Sequence, residues 1–128
     1  MRDLYSNIGA GLALAPAVQS AAATGPAIDT LGFGSVAFAV NTGAIAGDGE
    51  FGVKLQDSDT TENGDFTDVA AASVDSNAPA TLAASSTYKL GYRGHKRFVR
   101  LALTKAGGTS IAAGAVAILG SAASRPVA

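Results

Sequence analysis

TYKLGYRGHKRFVRLALT, residues Thr87–Thr104, carries the clearest structural signal in the chain. Tyr88, Leu90 and Tyr92 alternate with Lys89, Gly91 and Arg93. Val99, Leu101 and Leu103 alternate with Phe98, Arg100 and Ala102. Side chains two apart lie on the same side of a strand, so each run presents one apolar face. Arg93-Gly94-His95-Lys96 between them is a short polar link, with a glycine free to take a positive φ. The stretch reads as a β-hairpin. With Lys105 just beyond it, it also gathers most of the positive charge: Lys89, Arg93, Lys96, Arg97, Arg100 and Lys105, with no acid among them.

Outward from this stretch, the pattern stays that of strands. Leu12 and Leu14 mark a first extended segment over 11–18, and they are expected on one face. Residues 27–41 read as two strands joined at Gly32-Phe33-Gly34. In the second, Val36, Phe38 and Val40 alternate with Ala37 and Ala39, giving a large-residue face and a small-residue face, both able to be buried. Asn41-Thr42-Gly43 and Gly47-Asp48-Gly49 bracket a loop. Phe51, Val53 and Leu55 make the next strand. Phe66 and Val69 anchor the far end of an acidic loop, and residues 70–79 fit a helical turn or another strand equally well. Residues 110–120 form a last strand, with Val116 and Ile118 on one side and Ala115, Ala117 and Leu119 on the other. Seven or eight short strands at turn intervals of about 8–12 residues predict an all-β fold, an antiparallel, jelly-roll-like β-sandwich. Residues 1–128 are expected to form one domain, with extended arms at about 1–12 and 121–128.

Composition narrows the function. The chain has 128 residues, of which 48% are hydrophobic, enough to bury a core. Charged residues are 15%, against roughly 25% in ordinary soluble domains. The net charge of -1 offers no basic field for nucleic acid. A weakly charged surface rich in small residues is poorly protected against association, which points to a subunit covered by other subunits. With no cysteine, disulfides and thiolate metal sites are excluded. The uncharged run 4–28 is broken by Pro16, Pro26 and several glycines, and MRD is not a signal-peptide start. Neither it nor the glycine-interrupted run 106–124 reads as a membrane span.

Three constellations could carry chemistry. DSDTTENGDFTD, residues 57–68, clusters hard oxygen ligands, and Asp57, Asp59, Asp65 and Asp68 are calcium candidates. Glu62 stands where an EF-hand loop needs its glycine, so a solvated acidic loop is the simpler reading. His95 is the single histidine; without a G-x-S-x-G nucleophile turn it reads as an exposed turn residue. The basic stretch could face phosphates, yet Tyr88 and Tyr92 share the core side with Leu90, which argues against base stacking. It fits better as a salt-bridged face against the acidic loop, in the same copy or a neighbouring one; were the two faces to lie apart, copies could associate head to tail. The interface candidates are Lys89, Arg93, Lys96, Arg97, Arg100 and Arg125. No cofactor motif is present: there is no G-x-G-x-x-G opening a helix and no G-K-[ST].

Several motifs together resemble a family. KLGYRGHKRFVRLALT (Lys89–Thr104), AVAILG (Ala115–Gly120) and RPV (Arg125–Val127), with FGVKLQDSD (Phe51–Asp59) and DFTDV (Asp65–Val69) upstream, are similar to small structural proteins of tailed bacteriophages and prophages. The resemblance covers about residues 28–128, with Phe98 where that pattern often has tyrosine. It implies a virion component, a capsid decoration (cement) or other auxiliary head protein, and no catalytic residues. It also implies the major capsid protein and further copies of this chain as partners, a trimer being one arrangement. The implied location is the phage head surface, and the host cytoplasm during assembly. The alternatives are a head–tail connector, tail or fibre-base component, and a carbohydrate- or calcium-binding attachment module. For the latter, the absence of Trp removes the best sugar-stacking residue.

Overall fold

The computed structural model describes residues 3–123. Among these residues the fold is all-β, with ten strands in two antiparallel five-stranded sheets. They are β1 (Gly9–Gln19), β2 (Ala23–Thr24), β3 (Ile28–Asp29), β4 (Phe33–Ala46), β5 (Glu50–Ser58), β6 (Thr67–Asp68), β7 (Val74–Ser76), β8 (Thr87–Tyr92), β9 (Phe98–Gly107) and β10 (Ser110–Ala122). The first sheet runs β1-β10-β4-β8-β7. The second runs β2-β9-β5-β6, with β3 also on β9. Phe38 and Val40 of β4, Leu90 of β8 and Ile111 of β10 meet Phe51 and Leu55 of β5 and Val99, Leu101 and Leu103 of β9 in one core between the sheets.

The expected hairpin is corrected. Strands β8 and β9 exist as read, but they do not pair. β8 joins β4 and β7 in the first sheet, while β9 joins β5, β2 and β3 in the second. The link Arg93–Arg97 crosses from sheet to sheet, so the apolar faces of the two strands meet across the core instead of lying side by side. An alternating pattern fixes which side of a strand is buried, not its lateral partner. Gly94 serves the crossing itself: a Cβ there would collide with the Tyr92 phenol.

Other differences have local causes. More strands are present than expected, because β2, β3, β6 and β7 have only two or three residues and show no period. The stretch 70–79 holds both a 3-10 turn (Ala71–Ser73) and β7. Asn41–Gly43 is not a loop but the middle of β4. There the buried Thr42 hydroxyl donates to the Ala83 carbonyl (2.6 Å) and accepts from the Ser86 amide (2.9 Å), holding the segment that buries Leu82. Leu12 and Leu14 do not share a face, since a bulge between them turns Leu14 into the core and leaves Leu12 outside. Within the expected arms, Gly9–Leu12 pair with Leu119–Val116, and Ala122 pairs with Phe33. Residues 124–128 of the C-terminal arm, with Arg125, lie outside the described residues.

Candidate assembly surfaces

The basic stretch and the acids meet within one copy. Arg97 closes on Asp29 with two parallel bonds, Nε to Oδ1 at 2.8 Å and Nη2 to Oδ2 at 2.7 Å. The Arg97 guanidinium, helped by the Leu31 amide, holds the Asp29 carboxyl down at about 2. Lys96 reaches Asp59 at 3.2 Å and Arg93 reaches Asp75 at 2.9 Å. Arg100 stacks on the Phe66 ring, 4.3 Å from its centroid, and donates to Gln56 at 2.8 Å. Of the interface candidates in the described residues, Arg93, Lys96 and Arg97 form ion pairs, while Arg100 bonds only neutral amides and Lys89 has its side chain in no ion pair. Among the described residues, these pairs lie within one copy and do not form the separated faces of opposite sign that head-to-tail association requires.

The calcium candidates are engaged one by one. Asp57 accepts from the Tyr92 hydroxyl at 2.7 Å, Asp59 is paired with Lys96, and Asp65 accepts from Thr60. Asp68 accepts from Gln56 and Lys54, which hold its carboxyl below the usual carboxylate range. Among the described residues no three acidic or histidine side chains gather as a metal-holding group. His95 is exposed beside a small recess of about 150 Å³ lined by Thr30, Ser35, Tyr92 and Lys96. The three hydroxyls there are already committed, Thr30 to the Arg97 carbonyl, Ser35 to Ser121 and Tyr92 to Asp57.

The outer faces of the two sheets differ in kind. That of the second sheet is polar: Lys54, Gln56 and Arg100 on β5 and β9 line up with Asp68 on β6. That of the first sheet is nearly free of charge. Strand register sets Leu12, Val116, Ala39 and Lys89 in one row across β1, β10, β4 and β8. Ala10, Ile118, Ala37, Gly91 and Asp75 form the next, reaching β7. Val18 lies beside Ala112, and Gly114 beside Asn41 and Thr87. Charge thus enters only at the β8–β7 margin. Leu12 is 55% exposed and Val116 38%. A groove of about 510 Å³ lies next to them, over Ala39, Gly43, Ala112 and Gly114, walled by Pro16 and Ala17 on one side and Thr87 on the other.

A second apolar surface sits at one end of the molecule. Leu4 and Tyr5 in the N-terminal turn and Leu31 before β4 are exposed, Tyr5 at 84%. The pairing of Gly9 with Leu119, and the Ala123 amide donating to the Gly32 carbonyl, bring both segments to the C-terminal end of β10.

Reasoning from sequence named the cations as interface candidates and did not single out the outer face of the first sheet, while Leu4 and Tyr5 fall within the expected N-terminal arm. A signal was present: the small-residue sides of β4 and β10 carry no charge, whereas the outward side of an ordinary two-sheet domain is polar. No family model matches the chain, and no curated protein matches it.

Proposed function

We propose that the chain is a non-enzymatic structural protein of a phage virion, a decoration protein that binds the head shell and links its subunits. The carrying observation is the exposed apolar surface in two separate places, on a molecule whose Arg93, Lys96 and Arg97 pair with acids of the same copy. A protein that bridges neighbours needs at least two contact surfaces, and contiguous apolar patches on a soluble domain mark such contacts. Many weak contacts then add up on a repeating lattice. The motif resemblance points to the same class. In this reading the sheets form a jelly-roll-like sandwich, the chain switching sheets six times between β1 and β10. The major capsid protein is the partner, the head surface the destination, and the host cytoplasm the place of assembly.

Quantitative mass spectrometry of purified particles tests this through copy number. On the order of hundreds of copies per particle is the expected result for a shell protein. About six or twelve would replace it with a ring component of the neck or tail, given the closed symmetry of such rings. Absence from the particle would overturn the virion reading.

A further inference from the structure

We infer that the outer face of the first sheet docks on the same face of a second copy, about a two-fold axis passing near Ala115. The inference rests on the reading of the chain as an assembly subunit and names one of its contacts.

Shape is the first argument. The Leu12–Val116 ridge and the groove over Gly114 and Ala112 are neighbours on the same face, two residues apart along β10. A two-fold axis between Gly114 and Val116 sets the ridge of each copy into the groove of the other. A ridge and a groove side by side make a self-complementary surface, which an isologous contact requires. The groove floor is alanine and glycine, so another backbone can approach closely.

Charge is the second argument. The area bounded by β1, β10 and β4 presents no ionisable side chain outward. Burying it strands no charge, and its best complement is another uncharged face. The polar outer face of the second sheet is not one.

Size is the third. From strand spacing and rise, the uncharged area across these three strands measures roughly 14 Å by 35 Å, or about 1,000 Å² for the pair of copies. That is about the area a biological interface needs to clear.

The test is the mass of the purified full chain by light scattering at roughly 50 μM, well above a micromolar dissociation constant. The expected value is twice the 12.5 kDa of one chain. Val116→Asp and Leu12→Asp are expected to reduce it to one chain with an unchanged circular dichroism spectrum. Thr24→Asp, on the second sheet, is expected to leave it dimeric. Should Val116→Asp fail to fold, Leu12→Asp on the exposed edge strand decides. A monomeric or trimeric wild type, or dimeric folded variants, would overturn the inference. No particle enters this experiment, so a monomer that is still abundant on heads would sink the two-fold contact and leave the virion reading standing.

Discussion

Tyr92 ties the two sheets together at one end of the core. Its ring belongs to the first sheet, yet its hydroxyl donates to Asp57 of β5 at 2.7 Å and accepts from the Lys96 amide at 3.0 Å. Burial, reinforced by the bond to Asp57, pushes this hydroxyl up to about 12. Because the folded value lies above the ordinary 10.0, the stabilisation from the neutral phenol is complete below pH 10 and is lost as pH rises through about 12. Tyr92→Phe removes both bonds and leaves the Asp57 carboxylate and the Lys96 amide seeking water. The expected loss is about 1–2 kcal/mol in urea unfolding at pH 7. The gap to wild type should narrow between pH 10 and 12. A variant as stable as wild type at pH 7 would mean the bond serves geometry and not stability.

At the scale of elements, β10 is the strand on which the first sheet depends, since it pairs with both β1 and β4 over most of its length. Its Gly114 has a specific reason to be glycine: Pro16, in the bulged part of β1, lies over it, and a Cβ would come within 2.9 Å of Pro16. Gly114→Val is therefore expected to push β1 off the sheet edge at that point. The expected cost is roughly 1–3 kcal/mol in thermal or urea unfolding, with hydrogen exchange rising first in the β1 amides bonded to β10. Equal protection in both proteins would show that β1 is held by something other than β10. These elements also show what the sequence could and could not reveal. Period-two alternation located β5, β8, β9 and β10 well and put Val116 and Leu119 on the correct sides. It did not reveal that β8 and β9 sit in different sheets, because the polar link Arg93–Lys96 serves a sheet-to-sheet crossing as readily as a hairpin turn. It also misassigned Leu12, because a bulge shifts every later side chain by one position and leaves no mark in composition. The cations were found, but the partner of Arg97, Asp29, lies 68 residues away, and only the fold joins them.

For the whole molecule, the question is which force would hold copies together. The sequence offered an electrostatic answer, with the basic stretch salt-bridged to the acidic loop of the same copy or of a neighbour. In the fold, Arg93, Lys96 and Arg97 are spent on acids of the same copy, and the larger unspent surface is apolar. The two answers respond oppositely to salt. Exposed ion pairs weaken as the Debye length falls from about 14 Å near 0.05 M to about 3 Å at 1 M salt. Apolar burial is indifferent to sodium chloride at these levels and is strengthened by sulfate, which is excluded from the protein surface. The dimer dissociation constant, measured by sedimentation equilibrium, is therefore expected to stay within about threefold from 0.05 to 1 M sodium chloride, and to tighten in sodium sulfate. A weakening of tenfold or more in sodium chloride would return the contact to the charged residues. Arg93, Lys96 and Arg97 would then have to exchange their partners for those of a neighbour, and Asp29→Asn, which frees Arg97, would become the variant to examine next.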